Sequence, residues 1–93
     1  MRNYNEVEIK KYYICYRLNG KRHRTDGPAY IFYKSDGSLG SEAYYLNDKY
    51  HRTDGPAIIC YNRNGQVSCE EYYLNDKFLS QKEFDKLCPI TTK

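Results

Sequence analysis

The string HRTDGPA fills residues 23–29 and returns unchanged at 51–57, inside a longer internal repeat. Sliding the chain by 28 residues aligns 16–43 with 44–71 without a gap, and 15 of the 28 positions are identical. YYLNDK then opens a third copy at 72–77. A fixed period of this length marks a stacked array, in which one unit cannot bury its apolar face alone and relies on its neighbours to do so. The 93 residues are therefore read as one domain, 1–93, made of repeat 1 (16–43), repeat 2 (44–71), a partial repeat 3 (72–79) and a terminal segment 80–89.

Within each unit Asp36-Gly37 or Asn64-Gly65 separates two runs of β-branched and aromatic residues, a strong hairpin signal. Centring a two-residue turn on Asn64-Gly65 makes Arg63 face Gln66, Tyr61 face Ser68, Cys60 face Cys69, Ile59 face Glu70 and Ala57 face Tyr72. Side chains alternate faces along a strand, so Ala57, Ile59, Tyr61, Glu70, Tyr72 and Leu74 share one side. Their counterparts Ala29, Ile31, Tyr33, Glu42, Tyr44 and Leu46 match them in type. The other side sets Ile58, Cys60, Val67, Cys69 and Tyr73 against Tyr30, Phe32, Leu39, Ser41 and Tyr45, where only the last pair agrees. The repeating face is expected to be the core that stacks copy on copy, with the variable face open. The competing arrangement folds the terminal segment across the variable face and leaves the repeated tyrosines in water.

The connection NGKRHRTDGP or NDKYHRTDGP has the composition of a defined loop. Asn19-Gly20 and Asn47-Asp48 tolerate positive φ, Asp26 and Asp54 can bond backbone amides ahead of them, Gly27 and Gly55 relax φ, and Pro28 and Pro56 fix it. The repeated string is thus expected to be a structural corner built twice, with its histidine packed against the neighbouring repeat. After the third copy, Ser80 and Glu83 have capping-box spacing ahead of Phe84, Leu87, Cys88 and Pro89, predicting a helix over about 81–88 that covers the last hairpin. Val7, Ile9 and the run from Tyr12 to Tyr16 form the first strand or strands. The fold class is mainly β: a single twisted antiparallel sheet of tandem β-hairpin repeats with a short C-terminal capping helix.

The strings Leu18–Lys21 with His23–Ala29, and Leu46–Lys49 with His51–Ala57, make this pattern similar to MORN (membrane occupation and recognition nexus) repeats. It most resembles the MORN-like HR-x-DGPA repeats of bacteriophages and giant DNA viruses. The period of 28 exceeds that of ordinary MORN repeats, and the regular Tyr-x-Gly start is missing, so lipid binding does not carry over. What the resemblance implies is a scaffold or binding surface, and a viral or phage origin.

Composition narrows the function. Fifteen basic against 12 acidic side chains give a net charge of +3, too balanced to indicate a nucleic-acid protein by itself. No apolar run is long enough to span a bilayer and the first residues lack a signal peptide's apolar stretch, so a cytoplasmic protein is expected, in the host cytoplasm if viral. Cys15, Cys60, Cys69 and Cys88 form no C-x-x-C pair and have no histidine at ligand spacing, so free thiols and no metal are expected. Two identical His-Arg-Asp copies on a single-layer sheet offer no water-excluding cleft with unlike environments for acid and base, so neither an enzyme nor a cofactor is expected.

A non-catalytic protein-binding module remains. The expected partner surface is Tyr30, Phe32, Leu39, Tyr45, Ile58, Val67 and Tyr73, facing a host protein or a second copy. The resemblance adds inhibition of a host defence complex. The alternative is nucleic-acid or anionic-lipid binding through the basic loops, at Arg22, Arg24, Lys49 and Arg52.

Overall fold

The computed structural model describes residues 3–89. Its strands are β1 (Glu6–Ile9), β2 (Tyr13–Leu18), β3 (Lys21–Arg22), β4 (Tyr30–Tyr33), β5 (Leu39–Ala43), β6 (Tyr45–Leu46), β7 (Lys49–Tyr50), β8 (Ile58–Tyr61), β9 (Val67–Leu74) and β10 (Lys77–Leu79). One helix follows, α1 (Gln81–Leu87). An 8-stranded antiparallel sheet runs in the order β1-β2-β4-β5-β8-β9-β10 with β3 beside β2, and β6 and β7 form a separate pair. The chain is thus a mainly β protein, a single sheet of successive hairpins ending in a short helix.

The expected pairing holds through the middle of the second hairpin: Ile59 opposes Glu70 and Cys60 opposes Cys69. The turn differs. Gly65 sits at φ 80 while Asn64 is not at positive φ, Gly65 N–H donates to Asn62 C=O at 3.0 Å, and Asn62 N–H donates to Gln66 C=O at 2.8 Å. This is a three-residue loop with a left-handed glycine, rather than a two-residue turn on Asn64-Gly65. The side chain of Asn62 stabilises it by accepting from the N–H groups of Asn64 and Gln66. The extra residue is absorbed further on as a β-bulge, so Tyr61 opposes Val67 instead of Ser68. The first hairpin repeats the shift, with Tyr33 opposite Leu39 and Phe32 opposite Ser41. Gly40 is its bulged residue, and a Cβ there would lie 2.6 Å from the Phe32 ring.

The two-residue turns occur elsewhere. Asn47-Asp48 and Asn75-Asp76 have both residues at positive φ, as does Asn19-Gly20, and these turns close Leu18–Lys21, Leu46–Lys49 and Leu74–Lys77. Part of the predicted loop is therefore strand, β3 in one copy and β7 in the next.

These short hairpins stack through polar contacts that recur 28 residues on. Asp48 N–H donates to Arg22 C=O at 2.9 Å while Asp48 Oδ1 accepts from Arg22 N–H at 2.8 Å; Asp76 and Tyr50 repeat both bonds at the same lengths. His23 Nδ1 accepts from Asn47 N–H at 3.0 Å, and His51 Nδ1 from Asn75 N–H at 3.1 Å. The HRTDGP string is the corner that makes this stack. Arg24 lies 4.0 Å over the Tyr16 ring, and its Nε and Nη1 donate to Asp26 Oδ1 and to the Pro28 carbonyl. Arg52 treats Tyr44, Asp54 and Pro56 identically. The aspartates thus bind arginine and not the amides ahead of them. Nor do the glycines need positive φ: a Cβ on Gly27 would stand 3.0 Å from Arg24 Cζ, and one on Gly55 would stand 2.8 Å from Arg52 Cζ.

On the other side a column of side chains joins the copies. Arg22 Cζ lies 4.2 Å from the Tyr45 ring, Tyr45 is 4.6 Å from Tyr50, Tyr50 is 5.0 Å from Tyr73, and Tyr73 is 5.6 Å from Phe78. Burial is correspondingly divided. Ala29, Ala57, Leu79 and Phe84 are buried on the repeating face and Cys15 and Tyr45 on the variable one, so neither face alone is the core. The helix sits on the repeating face, where Phe84 packs 4.6 Å from Tyr72 in the place that arginine takes over Tyr16 and Tyr44. Ser80 and Glu83 form the expected capping box.

Replacing Gly55 by Ala should displace Arg52 from Tyr44 and cost roughly 1 to 3 kcal/mol in urea unfolding. Hydrogen bonding from Arg22 holds the Asp48 carboxyl below the usual range. That contribution is present above the unfolded-state pKa of about 3.9 and is lost as pH falls through the lower folded value. Asp48→Asn should therefore be less stable than the wild type at pH 7, with the gap closing below about pH 4.

Candidate functional site: the variable face of the sheet

Strand pairing sets the residues of the variable face in two rows across the sheet. One is Tyr13, Phe32, Ser41, Cys60 and Cys69; the other is Cys15, Tyr30, Ala43, Ile58 and Glu71. Directly opposed residues in antiparallel strands share a face, so each row is contiguous. Tyr13 stacks on Tyr30 at 5.4 Å, and its hydroxyl donates to Glu8, which also takes Arg17 at 2.8 Å. Between these rows and the aromatic column lies a shallow dish of about 460 Å³ lined by Tyr13, Cys15, Arg17, Arg22, Tyr30 and Tyr45.

The expected surface residues divide by position. Tyr30, Phe32 and Ile58 lie together in the rows, with Phe32 39% exposed. Leu39 and Val67 do not join them, because each bulge pairs them with Tyr33 or Tyr61 and so carries them to the repeating face. Tyr45 is only 7% exposed and Tyr73 stacks on Tyr50, so both belong to the column that joins the repeats. Burial and a hydrogen bond with Tyr50 push the Tyr45 phenol far above its usual range. Tyr13, Ala43, Cys60 and Cys69 complete the patch. Tyr13 lies outside the aligned repeats, so the copy-to-copy comparison gave no signal for it, whereas the difference between Ala43 and its counterpart Glu71 is a signal of the variable face that the two copies do carry.

The basic loops hold little free charge. Arg22 pairs with Asp48 at 2.9 Å, and Arg24 and Arg52 pair with Asp26 and Asp54 at 2.8 Å. Lys49 is exposed. An open groove of about 470 Å³ between the two HRTDGP loops is lined by these same paired arginines and aspartates, with His51 committed to the Asn75 amide. Among the described residues, no three His, Cys, Asp or Glu side chains cluster in a way that would hold a metal ion.

No protein-family model matches the chain, and no curated protein or solved structure matches it. No helix among the described residues is long and apolar enough to cross a membrane.

The four cysteines are free. Cys60 and Cys69 oppose each other, and the hydrogen bond between them, followed by burial, raises the Cys60 thiol to about 11. An antiparallel pair places its Cα atoms about 4.5 to 5.5 Å apart, within reach of a disulfide. Treatment with diamide should therefore link Cys60 to Cys69 with loss of two hydrogens, faster as pH rises because the thiolate is the reacting form. Peptide mapping that finds another pairing would disprove the register.

Proposed function

We propose that this chain is a non-catalytic MORN-like repeat module whose variable face binds another protein. The observation that carries the reading is the contiguous patch of Tyr13, Tyr30, Phe32, Ala43, Ile58 and Cys60, on a sheet face to which the helix contributes no cover. Phe32 is exposed and the other five are half-buried, and an apolar patch left open to solvent in this way is characteristic of interaction surfaces. The polar groups of the repeated string support a structural role for it, since each His, Arg and Asp in it is occupied by a bond within the array. Three of the four basic residues that would favour nucleic acid or anionic lipid are ion-paired.

The HR-x-DGPA resemblance supports a finer reading, a cytoplasmic viral or phage protein that occupies a host defence complex. A pull-down from host extract tests it, with Phe32→Asp as the control that should lose a specific partner.

The first test is solution mass by light scattering across salt, with and without a generic oligonucleotide. A salt-insensitive dimer that Phe32→Asp dissociates would identify the partner as a second copy. A monomer that leaves the oligonucleotide unbound supports a different protein partner. Binding of the oligonucleotide that falls steeply with salt would overturn the protein-binding reading.

A further inference from the structure

The sheet ends on an incomplete strand. In the interior, β5 is paired on both sides, and Ser41, Glu42 and Ala43 meet Cys60, Ile59 and Ile58 of β8. The equivalents one repeat later are Cys69, Glu70 and Glu71 of β9. They pair with β8 on one side, but β10 reaches only Tyr72, Tyr73 and Leu74 on the other. Among the described residues the stretch Val67–Glu71 is therefore a free edge, and beside it runs a groove of about 410 Å³ whose other wall includes Phe78, Leu79 and Gln81.

The interior supplies the template for what fits there. Tyr44 N–H donates to the Ala57 carbonyl at 2.7 Å, and strand alternation makes Glu42 the next β5 residue whose N–H and C=O face β8. Glu70 is the equivalent of Glu42, so its backbone amide and carbonyl face the groove. The carboxylates match too. Glu42 Oε1 accepts the Tyr61 hydroxyl of the incoming strand at 2.7 Å, whereas Glu70 is exposed and has no hydrogen-bond or ion-pair partner among the described residues. An unpaired edge is a template for strand addition.

Charge selects the occupant. Continuing the sheet with β1 of a second copy, faces aligned, would bring Glu6 and Glu8 against Glu71, because all three lie on the variable side. Pairing β9 with its own copy about a two-fold axis sets Glu70 opposite or diagonal to itself. Like charges at these positions destabilise a ladder. We propose that the free edge of β9 takes up, as one more antiparallel strand, an extended segment of a different polypeptide with two adjacent basic residues flanked by β-branched ones. The adjacent bases would face Glu70 and Glu71, which project from opposite sides of the sheet. This deepens the protein-binding reading, yet uses the sheet edge at which the rows end in Cys69 and Glu71 rather than the aromatic residues within them.

The test is fluorescence anisotropy with the labelled peptide Thr-Val-Thr-Lys-Arg-Val-Thr-Val, about the length of a typical strand. A second peptide carries Glu-Glu in place of Lys-Arg. Expected are binding of the basic peptide, weakening with salt, and hydrogen-exchange protection confined to 67–71. Glu70→Gln should weaken binding about two- to fivefold, and the Glu70→Lys, Glu71→Lys double variant should prefer the acidic peptide. Thermal melts confirm that both variants fold. Phe32→Asp should leave this binding unchanged while impairing the variable face, which separates failure of one surface from failure of the other. No binding at millimolar peptide, binding indifferent to the Glu70 and Glu71 changes, protection on other strands, or a protein dimer joined through β9 would each overturn the proposal.

Discussion

The structure depends on the capture of one repeat's turn by the corner of the repeat before it. A one-layer sheet of this size has no second layer to pack against, and small domains bury the smallest fraction of their surface. Only Cys15, Ala29, Tyr45, Ala57, Leu79 and Phe84 are buried apolar side chains among the described residues. Polar bonds of fixed geometry therefore do much of the joining. The Asp48 carboxylate on Arg22 and the His23 ring on the Asn47 amide hold the first two units, and Asp76 with Tyr50 and His51 with Asn75 hold the next. Each bond joins groups that would otherwise be satisfied by water, so its net worth is about 1 kcal/mol. Repetition makes the sum matter.

Both ends of the array use substitutes for the missing neighbour. At the start, Asn5 Oδ1 accepts the Asn19 amide at 3.1 Å, doing for the first turn what His23 and His51 do for the later ones. Asn3 Oδ1 likewise accepts from the Thr25 N–H. At the other end Phe84 replaces arginine over the last tyrosine of the series Tyr16, Tyr44, Tyr72. The helix covers that ring and leaves the outer edge of β9 open. This physical asymmetry distinguishes the two surfaces assigned to binding: the variable face is apolar, while the edge is hydrogen-bonding and acidic.

The candidate surface was only partly legible in the copies' disagreement. A position that differs between copies is expected to be free of packing duty, and that holds for Tyr30, Phe32 and Ile58. It fails for the column, where Arg17, Tyr45 and Tyr73 are equivalents and so are Arg22, Tyr50 and Phe78. Guanidinium and aromatic rings both stack on a ring, so the types differ while the contact persists. Variation in residue type thus concealed a shared duty.

The sequence by itself determined the period, the capped helix and the structural use of HRTDGP, because each follows from local spacing and turn chemistry; the expected pairing of Cys60 with Cys69 rested on a two-residue turn and holds because the bulge offsets the longer loop. The tertiary structure decided where the short and long turns fall, since Asn62 bonds across its own loop and the bulge at Ser68 or Gly40 repays the register. It alone moved Leu39 and Val67 to the other face, because the added loop residue shifts the register by one until the bulge restores it. It also decided that arginine would rest against Gly27 and Gly55, a contact between groups whose approach depends on the loop's full path.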